Sequence, residues 1–571
     1  MAKIEDPHIF VAMSYDTLFE DCNSIDPTVF LTNVSMFDAL YFVAQRNNRI
    51  NYSFSDVERQ RILIYEMRCY FLDESDCIAK IDRFLLNNEF CYLFENESCF
   101  IYEMLVLQTA DNSKEGLSNL DIKNIYKAYL YSCKVWLDKQ AILLDKTSNI
   151  QEYSVRIDLP IVEFKTYKDF RTQLFKADQF FSFCEADNQF KDFLKYYLED
   201  NQYKDYVDYL SCLFMLYYDS YDNLLIDDID IYGVIGVNYK KYYISQAECK
   251  SIWDNKELLY LRNHFLFSSK KSLIIINPNL LVDKFYQGMI FDFWNSVSKH
   301  KGKGESGKVI SNFADFKSIV GMKFSESVLF YNVISNSFPS EEYIKISGIE
   351  LKSLYKRLNL LGEPDYYIRK DHHIFLFEFK DVTLSDSVKQ SDNFKNIKNQ
   401  VLARLCKDGD NNRKGAIQLL YNIDSLFKNE IDIEKDRMFS SLDIYFPILV
   451  TTDRCFDALG INSLIIQEFS SVIENKFNYL SGHVKMPIII NVDTLIDIMY
   501  RLRIGKIEFD TILLEYLSIF DNGLNTSISM MPFSSFVYDY YKMDSSLLKD
   551  DNQFLFGDLL MHFQKKELKR K

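Results

Sequence analysis

The chain has 571 residues, a formal charge of −16, 48% hydrophobic and 16% aromatic residues, and 9 prolines. That length exceeds what one apolar core usually organises and that composition excludes a disordered chain, so two or three globular domains are expected. The acidic balance excludes a diffuse nucleic-acid coat and confines any polyanion contact to a local patch.

The stretch 351–420 is permissive in this respect, with 13 Lys and Arg against 9 Asp and Glu. The 11 cysteines form no CxxC pair, and no His/Cys cluster has zinc-ligand spacing, so neither a zinc module nor a disulfide framework is indicated. The start MAKIEDPHIFVAM lacks a basic segment followed by an apolar run, and no stretch reaches about 18 uninterrupted apolar residues. A soluble, cytoplasmic protein with reduced thiols and no membrane contact is the expectation.

Residues 1–265 read as a large, mainly α-helical domain, because ALYFVAQRNNRI, IKNIYKAYLYSCKVWLDKQAILL and QFKDFLKYYLEDNQYKDYVDYLSCLFMLYYDSY repeat apolar residues at three- and four-residue spacing. Strand-like pieces are expected near SVRIDLPIVEF and DIDIYGVIGVNYKKYYIS. A connector spans 266–308: an apolar strand, an Asn-Pro-Asn turn and a second amphipathic segment make a hairpin-like unit, and KHKGKGESGK closes it as an exposed Gly/Lys linker. Gly302, Gly307 and Lys308 stand as in a phosphate-binding GxxxxGK[ST] loop, but Val309 lacks the hydroxyl that would hold Mg²⁺ and no apolar strand precedes the loop, so a nucleotide switch is rejected.

From 309 to 503 an α/β domain is expected, in the order helix, strand, strand, strand, helix, strand, strand, helix. Its pieces are FSESVLFYNVISNSF, EYIKISGI, PDYYIRK, HHIFLFEFKDV, GAIQLLYNIDSLFK, DIYFPILVTTD and PIIINVDTLIDIMYRL, with a polar, mostly helical insertion at 384–412. Residues 504–571 form a helical extension ending in the basic tail KKELKRK, which is read as solvated.

The segment His373–Asp381 carries the chemistry. Alternation sends Phe375, Phe377 and Phe379 to one face and Ile374, Leu376, Glu378 and Lys380 to the other. A loop centred on Asp371 and His372 places Asp365 across from Glu378, at about 5 Å. Asp-His is not a favoured two-residue turn, so neighbouring registers stay open. Two opposed carboxylates repel unless a positive charge lies between them, and a divalent cation such as Mg²⁺ or Mn²⁺ supplies it. Asp365 and Glu378 are the candidate ligands, with the Phe379 carbonyl as a further one. Lys380 is the candidate for orienting or helping to deprotonate a nucleophile, or for stabilising charge on a phosphate. His372 and His373 are read as turn residues.

Pro364-Asp365 followed at strand distance by Glu378-Phe379-Lys380 resembles the PD-(D/E)XK motif of the restriction-endonuclease-like nuclease superfamily. The resemblance covers about 270–460. It implies a mixed central sheet flanked by helices, and Gln418 in KGAIQLLYNI matches a Gln often found on the helix after the motif. Many members place a Glu in the first helix as G-x-x-F-E. Here Gly321-Met322-Lys323-Phe324 is followed by Ser325 and then Glu326, so the carboxylate is displaced by one.

The resulting expectation is a metal-dependent phosphodiester hydrolase, acting on DNA more than RNA, whose helical first half regulates it or binds a protein partner. The resemblance alone suggests defence against foreign DNA. The rival expectation is a catalytically inactive scaffold on the same fold, and self-association is left open.

Overall fold

The computed structural model describes residues 11–541 apart from 22–24, 52–56, 148, 166–168, 221–223, 228–241, 245–263, 269–271, 340–341, 361, 409–411 and 437–439, together with 550, 552–555 and 557. The first half is helical: α1 (Met36–Asn51), α2 (Val57–Tyr70), α3 (Ser75–Asn87), α4 (Asn96–Thr109), α5 (Asn119–Lys146), α6 (Ile150–Asp158), α7 (Phe170–Ala186), α8 (Asn188–Asp200) and α9 (Tyr206–Ser220). The expected strand near SVRIDLPIVEF is instead α6 and a helical turn, Val162–Lys165. Asn149 caps α6 through the Glu152 N–H, and Val155 and Leu159 bury in a core that outweighs their strand preference. Most of DIDIYGVIGVNYKKYYIS lies outside the described residues.

A small antiparallel sheet comes next, β1 (Leu225–Asp227), β2 (Leu266–Ser268) and β3 (Ser272–Ile275), in the order β1-β3-β2. Asn-Pro-Asn does not turn a hairpin. Asn277 caps α10 (Pro278–Asp283) with Pro278 at its first position, and α11 (Gln287–Lys299) lies just beyond. The Gly/Lys segment is a folded loop rather than a free linker: Gly302 is buried, and a Cβ there would stand 2.6 Å from Val297 and 2.9 Å from Phe193.

The second half opens with α12 (Phe313–Val320), which runs directly into a π-helix over Gly321–Phe330 and then α13 (Tyr331–Ser337). Next come β4 (Ile344–Ser347), α14 (Gly348–Leu358), β5 (Tyr366–Lys370) and β6 (His373–Lys380). After the insertion, which contains α15 (Phe394–Leu405), the chain forms α16 (Gly415–Phe427), β7 (Ile444–Thr451), α17 (Ile461–Lys476), β8 (Ile488–Asn491), α18 (Val492–Arg503), α19 (Phe509–Ser518) and α20 (Phe533–Tyr540). Two helices, α14 and α17, add to the expected order.

The five strands lie in the order β8-β7-β6-β5-β4, with β4-β5 and β5-β6 antiparallel and β6-β7 and β7-β8 parallel. Parallel neighbours need a crossover, and α15 with α16 and then α17 supply the two. The sheet is buried on both faces. Phe375, Phe377 and Phe379 join Phe446, Ile448 and Val450 in one apolar cluster, which also contains Phe180 and Phe324, while Ile374 and Leu376 join Leu449, Leu419 and Leu420 in the other. The chain is thus mixed α/β, with a helical N-terminal region and a mixed five-stranded sheet.

The two regions are joined by buried contacts. Lys176 of α7 donates to Asp493 in the first turn of α18 at 2.5 Å, and Arg454 reaches the same carboxylate at 3.0 Å. At the turn end of β5, Arg369 is 1% exposed and binds both Asp436 and Asp443, at 2.6 and 2.7 Å.

Candidate active site

The β5-β6 ladder pairs Lys370 with His373 and Tyr366 with Phe377, which leaves the two-residue loop Asp371-His372, with Asp371 at φ 51°. This is the register in which Asp365, one residue before β5, stands opposite Glu378. The ladder does not continue through them in the ordinary way. The Asp365 N–H donates to the Phe377 carbonyl at 2.9 Å, while the Phe379 N–H donates at 2.7 Å to the side-chain Oδ2 of Asp365 rather than to a main-chain oxygen. The Asp365 carbonyl accepts the Gly348 N–H at 2.8 Å and, more weakly, the Tyr331 hydroxyl at 3.4 Å.

Glu378 is 3% exposed and points to the face where α16 packs. Lys380 Nζ donates to its Oε1 at 2.5 Å, and Gln418 Nε2 donates to its Oε2 at 2.9 Å. Gln418 also holds the Glu363 carbonyl at 3.3 Å. One turn further along α16, Asn422 donates to the Gly362 carbonyl at 2.8 Å and accepts the Tyr355 hydroxyl at 3.0 Å. The loop that delivers Asp365 is therefore stapled twice to α16. Gly362, at φ 78°, lets it pass, since a Cβ there would press on the Gln418 side chain at 3.2 Å.

Burial and then the neighbouring Glu378 charge push the Asp365 carboxyl well above its ordinary range, against the Phe379 N–H. Burial likewise raises Glu378, opposed mainly by Lys380. For Lys380 burial disfavours the ammonium, yet Glu378, Asp365 and Glu326 together hold it above the usual lysine range. An ammonium so held suits charge stabilisation better than proton abstraction.

Glu326 sits in the π-helix, and its carboxyl is raised by burial and pulled back by Lys380 and Lys352. It acts electrostatically on Asp365, Glu378 and Lys380 in turn. A π-helix takes in an extra residue and rotates the next side chains around the axis. That is the local geometry in which Glu326 comes to bear on the strand end. The Ser327 hydroxyl spans the widened turn, donating to the Met322 carbonyl at 2.7 Å. Lys317 of α12 pairs with Asp381 at 2.6 Å, and a Cβ on Gly321 would meet Asp381 at 3.2 Å, so the end of β6 fixes where the π-helix starts.

Phe379 stacks its ring on Phe330 at 4.9 Å, within the aromatic face. His372 and His373 lie at the far end of the hairpin, about 17 Å along the strand from Glu378, beside Asp443 and Asp510. The structure therefore brings Asp365, Glu378, Lys380, Gln418 and Glu326 into one neighbourhood. Asn422, Tyr355, Tyr331 and Lys352 were not read from the sequence. The Ser347-x-x-Glu350 capping box, formed at the start of α14, was the signal that could have located the last of these.

Among the described residues no group of three or more His, Cys, Asp or Glu side chains is gathered to hold a metal ion. Asp365 and Glu378 are a pair of hard oxygen donors, each raised by burial, with the charge of Glu378 raising Asp365 further. Such a pair fits a cation of the Mg²⁺ kind, which takes one or two carboxylates and completes its shell with water and phosphate. No helix among the described residues is long and apolar enough to cross a membrane. No family profile, curated protein or solved structure matches the chain.

Proposed function

We propose that the chain is a metal-dependent nuclease of the PD-(D/E)XK type that hydrolyses phosphodiester bonds in DNA. The observation that carries this reading is the buried Glu378, held by Lys380 on one oxygen and Gln418 on the other, with Asp365 across the hairpin. Asp365, Glu378 and the Phe379 carbonyl would hold Mg²⁺ or Mn²⁺, which when bound supplies Lewis-acid polarisation of the scissile phosphate and activates water.

The residues themselves do the rest. Gln418 fixes the rotamer of Glu378 and the path of the 362–365 loop. Lys380, kept protonated, offers a positive charge where a pentavalent phosphate builds negative charge. Glu326 would accept a hydrogen bond from an attacking water. The helical first half would regulate or target the enzyme, and defence against foreign DNA in the cytoplasm is the role the family resemblance suggests.

A second reading, an inactive scaffold that binds a partner through its helical half, is favoured by one observation: both Glu378 oxygens are already engaged. The test is cleavage of supercoiled plasmid and duplex oligonucleotides with Mg²⁺ or Mn²⁺, comparing wild type with the Glu378→Ala/Lys380→Ala variant. Activity lost in the variant supports the nuclease; activity retained there discards the site. Absence of both cleavage and calorimetric Mn²⁺ binding in the wild type leaves the scaffold.

A further inference from the structure

The face of α14 that points to solvent is the feature the site does not use. We infer that α14 is a DNA-tracking helix, whose Lys352, Lys356 and Arg357 hold the phosphates of one strand of duplex DNA beside the acidic centre. This rests on the nuclease reading for what happens to the strand, but not for the binding itself.

The helix starts on the site. Its first residue, Gly348, donates its N–H to the Asp365 carbonyl, and a Cβ there would fall 2.9 Å from that oxygen, so nothing larger lets α14 begin so close. Leu351 and Tyr355 bury inward. Lys352, Ser353, Lys356 and Arg357 are exposed on the other side. Four residues of helix rise about 6 Å, so Lys352 stands one turn from Asp365 and Lys356 two. Lys352 already acts on Glu326, drawing its carboxyl back toward the charged form.

The charge pattern gives the row its meaning. In a chain of net charge −16, five cations around the sheet are each held by an acid: Lys317 by Asp381, Lys323 by Asp187, Lys370 by Glu508, Lys428 by Asp424, and Lys435 by Glu350. Among the described residues, the side chains of Lys352, Lys356 and Arg357 form neither an ion pair nor a hydrogen bond. An acidic centre repels the polyanion it is meant to cut. Unpaired cations in a row leading out of it offset that repulsion and set the direction of approach. The occupant with matching chemistry is an extended array of phosphates, since a single anion would engage only one of the three.

The experiment measures binding of the full chain to a fluorescein-labelled DNA duplex by anisotropy, in EDTA so that nothing turns over, across a salt series. The variants are Lys352→Ala/Lys356→Ala/Arg357→Ala and, as a control, Lys191→Ala/Lys195→Ala on α8. The triple variant is expected to bind at least tenfold more weakly at low salt and to flatten the log affinity against log salt slope by about 2 to 3, with an unchanged melting temperature. The control is expected to match wild type. Equal affinity and slope in the triple variant and wild type overturn the inference, as does absence of wild-type binding at low salt. Preference for an RNA duplex through the same residues overturns the DNA assignment. Wild-type protein that binds through α14 yet never cleaves defeats the nuclease reading alone.

Discussion

Gln418 on α16 donates to the Glu378 carboxylate at 2.9 Å, so a helix packed on one face of the sheet holds the rotamer of a strand end. Gln418→Leu keeps the volume and removes the donor. The buried oxygen it leaves costs about 1–3 kcal/mol, visible as a lower urea midpoint with unchanged slope. Metal-dependent cleavage is expected to fall roughly 10- to 100-fold, the usual effect of removing a group that orients a ligand. A midpoint equal to that of wild type would show that the bond contributes nothing.

Gly415 opens α16 at φ 50°, and a Cβ on it would lie 1.9 Å from the Leu405 carbonyl oxygen. Gly415→Ala is therefore expected to cost more than about 3 kcal/mol, since both backbones must move. Gly307→Ala is the comparison: φ is also positive, at 74°, but the space is open, and only about 1 kcal/mol of backbone strain is expected. Similar melting temperatures for the two variants would refute the steric argument.

Arg369 joins two buried acids, Asp436 and Asp443, that lie far from it in sequence. Arg369→Met removes the guanidinium from both buried acids and should destabilise the fold by about 3–5 kcal/mol. Because the residue sits at the turn end of the hairpin, guanidinium unfolding is the readout, and a loss below about 1 kcal/mol would mean that water already reaches the pair.

Asp457 is buried among Asp493, Arg454 and Asp453, and burial, reinforced by Asp493 and opposed by Arg454, pushes its carboxyl up to about 7. The folded state thus binds this proton more tightly than the unfolded state. The associated stability is full below the ordinary carboxylate pKa and is lost as pH rises through about 7. Between pH 5 and 8 this group alone removes about 2–3 kcal/mol. Asp457→Asn should flatten the wild-type decline by that amount in thermal melts at the two pH values; parallel profiles would count against it.

The parts of the site legible in the sequence were those set by local periodicity. Alternation along His373–Lys380 separates the phenylalanine face from Glu378 and Lys380, and a two-residue loop fixes which residue faces Asp365. The illegible parts are set at long range. SVRIDLPIVEF looks extended by composition but is held as helix by a cap and a core. EYIKISGI reads as one strand, although Ser347 ends it and starts α14. The π-helix cannot be read locally, because its start depends on Gly321 meeting Asp381, sixty positions away in sequence. Asn422 and Tyr355 are ordinary helix residues until the fold brings Asn422 against both the Gly362 carbonyl and the Tyr355 hydroxyl.

The Phe379 N–H that finds a carboxylate instead of a backbone carbonyl has a mechanical outcome. A zipped ribbon offers no room between its edges, whereas this one is unbuttoned one pair early by a side chain that satisfies the loose amide. The hairpin thereby ends its pairing without leaving an amide unsatisfied, and it does so where the Asp365 and Glu378 oxygens are already held in place by the Phe379 N–H, Lys380 and Gln418.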